Sequence, residues 1–198
     1  MSPLYPRGPI NLVGAVHALP NNSIVPGFPE WQWLLTCGHS PGHVSFFRED
    51  DRTMLSGDAV VTTRQESTMN VLMQRRIVWR PPAYYTPDWN GARQSVESIA
   101  ALAPGVLATG HGHPMKGPLM RCALRNLADH FDEMVPSSGR YVPYPAVTDE
   151  RGVIRVPPRT RLAISGTTVA AGISAAAVRL GLLAVAWRRA PISRSLQT

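Results

Sequence analysis

Cysteine is nearly missing from this chain, and so is lysine. Cys37 and Cys122 are the only two cysteines in 198 residues, too few for a disulfide framework, and a reducing compartment is expected. Lys116 is the single lysine among 20 basic residues, a compositional bias without chemical meaning of its own. The opening MSPLYPRGPINLVG has neither the basic start nor the long apolar run of a secretory signal, so export by that route is not expected. HExxH and paired-cysteine spacings are lacking too, which removes two common sequence signatures of zinc.

A basic binding face is also lacking. The formal charge is +7, but residues 1–134 carry 11 Lys and Arg against 11 Asp and Glu, whereas residues 135–198 carry 9 Arg against Asp149 and Glu150. The whole excess lies in the tail. The folded part has no net attraction for phosphates, and nucleic acid is excluded as a partner class. What remains is a chain with 44% apolar residues, enough for one domain with a good core and some extra segments.

Residues 1–30 read as a loop-rich leader, with prolines at 3, 6, 9, 20, 26 and 29. Trp31 to Leu35, His43 to Phe47 and Met54-Leu55 read as three strands of a β-meander, rich in β-formers and separated by polar turns. In residues 59–85, Val60 to Thr63 continue an extended run and later apolar islands lack a period, so the stretch reads as an irregular flap or substrate-side segment. Thr86-Pro87 opens a helix, with Thr86 as cap and Pro87 at the first position. Ala92, Val96, Ile99, Ala100 and Ala103 follow helical spacing, so one face is buried. Val106 to Ala108 is a short buried strand, and Pro118 starts a helix with Met120, Leu124, Leu127 and Phe131 on one stripe. Residues 31–134 form the domain on this reading, followed by a proline-containing linker over 135–160. The apolar stretch within 161–189 is long enough to cross a bilayer or to pack as a helix, with Arg179 inside it, Arg188-Arg189 behind it and a short tail over 190–198.

Three glycine-flanked loops each place a metal-ligand side chain after an apolar run: Thr36-Cys37-Gly38-His39-Ser40-Pro41-Gly42-His43, Ser56-Gly57-Asp58 and Gly110-His111-Gly112-His113. Histidine and aspartate supply the nitrogen and oxygen donors that zinc-type ions take, and glycine lets backbone approach closely. A lone histidine is more often structural than a ligand; three such loops are harder to dismiss.

These three loops, in this order, resemble the metallo-β-lactamase superfamily. TCGHSPGH followed by VSFF resembles its TPGHTPGH segment, LSGDA its SGD element and ATGHGHP its late GHG element, over roughly residues 30–134. The resemblance implies an α+β fold, a partial αββα sandwich comprising the second sheet with its helices, to which the C-terminal apolar helix would be added. It implies His39 as ligand of one zinc, His111 as ligand of a second, and Asp58 as the carboxylate bridging both. His43 would pack or hydrogen-bond beside them, His113 would sit at the rim, and Cys37, where the family has proline, would be a neighbour without a partner base.

The family's HxHxDH motif has no counterpart here: His17 is the only histidine before His39, and no aspartate precedes Asp50. The expectation is therefore a zinc-dependent hydrolase of an ester, thioester or related bond, truncated and impaired as it stands. The alternative is a non-catalytic half-domain that packs with a complementing chain or a second copy, or is held at a membrane through 161–189. A small-molecule substrate is expected only for the first. The location expected is cytoplasmic, or membrane-anchored by a single C-terminal helix.

Overall fold

The computed structural model describes Gly14, residues 16–149 and residues 152–158. All of them belong to one compact unit that ends at Pro158. Its centre is a six-stranded sheet whose spatial order follows the chain: β1 (Ile24–Val25), β2 (Phe28–Leu35), β3 (Val44–Arg48), β4 (Thr53–Leu55), β5 (Val106–Ala108) and β6 (Met115–Lys116). Neighbours pair antiparallel except β4 and β5, which run parallel, with Leu55 opposite Ala108.

Among the described residues the α-helices are α1 (Thr68–Leu72), α2 (Trp89–Ala101), α3 (Pro118–Asp129) and α4 (Phe131–Met134). Side chains alternate across a strand, so Phe47, Met54 and Leu107 stand in register on one sheet face. There they join Val96 and Ile99 of α2, Leu124 and Leu127 of α3, and Phe131 in a single buried cluster. Each fully buried side chain of this size contributes about 1.5–3 kcal/mol. The opposite face carries Trp33, Phe46 and Leu55, in register and only partly covered. A sheet with its helices on one side is the expected half of a sandwich.

Several expectations change. The leader is not all loop: Ile24–Val25 pairs with β2 around Pro26-Gly27, where Gly27 has φ +81° and so takes the turn position that needs left-handed backbone. The cap of α2 is Asp88, whose Oδ1 accepts from the Asn90 and Gly91 amides; Thr86 instead donates its hydroxyl to Pro82 O. Replacing Asp88 with Ala is expected to cost about 1 kcal/mol of stability in urea unfolding. Ala103 lies past the helix with φ +43° and is exposed. Residues 147–155, read as linker, contain an antiparallel hairpin of β7 (Val147–Asp149) and β8 (Gly152–Arg155).

The stretch 59–85 is not simply a flap. Val60, Val61, Thr62 and Thr63 are fully buried, at 1% exposure or less. Val61 exchanges backbone hydrogen bonds with Trp79, and Ile77 N donates to Thr62 O. This short ladder closes the base of an arch over residues 64–76, which carries α1 and exposes Met69, Leu72 and Met73. Among the described residues no helix is long and apolar enough to cross a membrane. The apolar helix expected within 161–189 lies outside the described residues.

Candidate metal centre

Strand direction brings the three loops together. β2 runs antiparallel to β3 and β3 to β4, while β4 and β5 are parallel. So β2, β4 and β5 all point the same way, and the loops that follow them leave from one edge of the sheet. His39, Asp58 and His111 sit on those loops.

Each loop is pinned separately. The His39 loop lies on α2: Asp88 N donates to Gly38 O, and Ser95 Oγ donates to Cys37 O at 2.7 Å. A Cβ on Gly38, which has φ +122°, would overlap the backbone of Ala92 in α2, so only glycine allows this approach. The His111 loop is held through its carbonyl, which accepts from Thr62 N, Thr62 Oγ1 and Thr109 Oγ1 at 3.0, 3.1 and 2.8 Å. The Asp58 loop is tied to the His111 loop by Gly110 N donating to Gly57 O at 2.8 Å.

The geometry centres on one oxygen. Asp58 Oδ2 lies 3.4 Å from His39 Nε2 and 3.5 Å from His111 Nε2. Those distances are long for hydrogen bonds. They suit two donors that share an ion, since ligands at about 2.0–2.1 Å in tetrahedral arrangement stand about 3.4 Å apart. The second carboxylate oxygen, Oδ1, is buried without a hydrogen-bond partner, as is His39 Nδ1. A buried carboxylate oxygen left unpaired is costly unless a cation serves it. Among the described residues no set of three or more His, Cys, Asp or Glu forms a self-contained metal cage. What the loops make is two imidazole–carboxylate pairs that share Asp58 Oδ2.

Burial holds the pKa of His39 below its ordinary value; Asp58 opposes this, and His43 and His111 reinforce it. A neutral imidazole, the form that ligates metal, is thereby favoured. His43 is likewise lowered by burial, against the opposing Asp58 and Thr36, and it hydrogen-bonds to Asp58 N rather than facing the carboxylate. His113 and His17 are exposed. The Cys37 thiol is raised by burial and by Asp88 and donates to Pro41 O, which suits a structural neighbour and not a nucleophile. Trp89 is buried against Phe131, whereas Tyr84 and Tyr85 stack edge-on at the surface. The loop-holding threonines Thr62 and Thr109 had no readable signal, because a threonine near a strand end is ordinary.

The chain matches the model of the metallo-beta-lactamase superfamily over residues 3–111, more than half its length. It belongs to that superfamily. Among curated relatives, this superfamily member is 45% identical over 134 residues to the probable metallo-hydrolase YflN of Bacillus subtilis (strain 168), covering 68% of this chain and 51% of YflN. It is 30% identical over 81 residues to the probable metallo-hydrolase YybB of the same organism, covering 41% of this chain and 32% of that one. It thus spans about half the length of one and a third of the other. The metallo-beta-lactamase family protein TTHA1429 from Thermus thermophilus is 24% identical, with a TM-score of 0.36 over 52% of this chain and 30% of that structure.

Proposed function

We propose that this superfamily member carries one side of a metal-dependent hydrolytic site, with His39, Asp58 and His111 as its metal donors. The observation that carries the reading is the single oxygen, Asp58 Oδ2, facing both imidazole Nε2 atoms at 3.4 and 3.5 Å. Zinc suits this nitrogen and oxygen donor set, and a 2-His-1-carboxylate set also takes ferrous iron. A metal bound there supplies Lewis acidity and acidifies water for attack on an ester, thioester or related bond of a small molecule. The chain's own part is to hold neutral imidazoles and a turned-in carboxylate at fixed separation, on loops seated against α2 and β5.

A second reading follows from donor number. A catalytic zinc takes three protein ligands, whereas among the described residues each imidazole is joined only by the shared Asp58. Full activity therefore requires further donors, as a complementing chain or a second copy would supply.

Equilibrium dialysis of the full chain against zinc, manganese and ferrous ions, followed by elemental analysis, tests the metal reading. The expected result is substantial uptake of one of these ions, reduced at least tenfold by Asp58→Ala. Uptake below roughly a tenth of an equivalent for all three ions would overturn it.

A further inference from the structure

His43 belongs to a closed ring of hydrogen bonds whose every proton has one possible place. The Asp58 amide lies 3.1 Å from His43 Nε2. An amide N–H only donates, so Nε2 accepts and the neutral ring carries its proton on Nδ1. Nδ1 is 2.8 Å from Thr36 Oγ1, which therefore accepts and passes its own proton onward. Thr36 Oγ1 is 2.8 Å from Ser45 Oγ, and Ser45 donates to the Ser56 carbonyl at 3.3 Å. A carbonyl only accepts, so the direction is set from both ends.

The ring starts at Asp58 N and finishes at Ser56 O, two residues back on the same loop. Thr36, Ser45 and Ser56 are all 0% exposed, so water does not compete. Between the two ends sits Gly57, with φ +52° and its would-be Cβ position 2.6 Å from His43 Nε2. The imidazole rests directly on that backbone, where any side chain would displace it.

We infer that His43 is a positioning residue: as the Nδ1–H tautomer it staples the Ser56–Asp58 loop to β3 and so sets where the Asp58 carboxylate stands. Both ring nitrogens are committed to this task, and His43 is not itself a metal donor. Its effect on metal rests on the proposed metal role of Asp58, whereas the ring itself exists without metal.

Two measurements on the metal-free full chain separate the ring from the metal reading. Long-range ¹H–¹⁵N NMR of the histidine rings is expected to show His43 with a bare Nε2 and a proton on Nδ1. Amide exchange of Asp58 is expected to speed up about tenfold or more in His43→Ala, with the Leu107 amide changing less than about twofold. His43→Gln, whose side-chain oxygen offers Asp58 N an acceptor, is expected to recover most of the protection; should His43→Ala fail to fold, the tautomer measured in the unsubstituted chain serves as the test. An Nε2–H tautomer, or an Asp58 amide indifferent to His43→Ala, would overturn the assignment. The metal dissociation constant is expected to rise about 10–100-fold in His43→Ala. If the wild-type chain takes up no metal while the tautomer and exchange results hold, the metal reading fails and the ring stands.

Discussion

A chain carrying Gly110→Ala is expected to fold normally and to lose the metal binding proposed for Asp58. The added methyl would fall on Asp58 Oδ1 and within 3.2 Å of its Cγ. The Asp58 loop cannot retreat, because Gly110 N is bonded to Gly57 O at 2.8 Å. The carboxylate must turn instead, and Oδ2 then leaves the two imidazoles. Gly110 does not have positive φ, so Ala brings no backbone strain, and urea unfolding should shift by no more than about 1 kcal/mol. Metal affinity, read by dialysis or titration calorimetry, should fall roughly 100-fold. Unchanged affinity would remove Asp58 from the donor set.

Arg80→Ala acts on the fold and has the largest expected effect on stability, about 3–5 kcal/mol. Arg80 is 5% exposed. It donates to Met134 O at 2.6 Å, to Glu66 Oε1 at 2.8 Å and to Pro81 O at 3.0 Å, and its guanidinium lies over Trp79 and Trp89. Removing it strands the Glu66 charge and a carbonyl at the end of α4. Burial resists ionisation of Glu66, but the Ala83 amide, its own amide and Arg80 together outweigh that and hold its pKa below the ordinary 4.5. A carboxylate lowered by folding stabilises above its unfolded pKa, and that contribution is lost as pH falls through the folded value. Wild type should therefore lose stability below about pH 4.5, and Arg80→Ala should lose less over the same range. Urea midpoints at pH 7 and pH 4 check both the size and the sign.

The three glycine-flanked loops were legible because glycine and a polar side chain directly follow an apolar run, a local pattern. Their convergence was not, since it depends on β2, β4 and β5 sharing a direction, and strand direction leaves no mark on residue type. The buried face of α2 was visible in Ala92, Val96 and Ile99, yet its cap was misplaced by two residues because Thr86 and Asp88 are both good cap types. Val60 to Thr63 read as an extended run, but their place in the core was not legible, because residues buried on all sides show no alternation. The hairpin of β1 and β2 was hidden by Pro26, which lies in the connecting turn, and Pro29, which precedes the residues of β2 that pair with β3. His43 is the hardest case: the members of its ring come from three separate places, Thr36, Ser45 and the Ser56–Asp58 loop, and no spacing announces them.

The arch over residues 64–76 meets the His111 loop at its foot, where Thr62 accepts from Ile77 N through its carbonyl and donates to His111 O through its amide. Glu66 is held from outside the arch by Arg80 and the Ala83 amide, and beyond it the bonds stay local: Ser67 caps α1 through the Asn70 amide, and Gln74 donates to Val71 O. Doubling the length of such an excursion costs only about 0.6 kcal/mol in closure entropy. Residues 67–75 are thus an exchangeable part, free to vary in length and sequence so long as Thr62 with its ladder and the Glu66–Arg80 pair stay put. A graft there would alter the company kept by the site and leave the spacing of its donors alone.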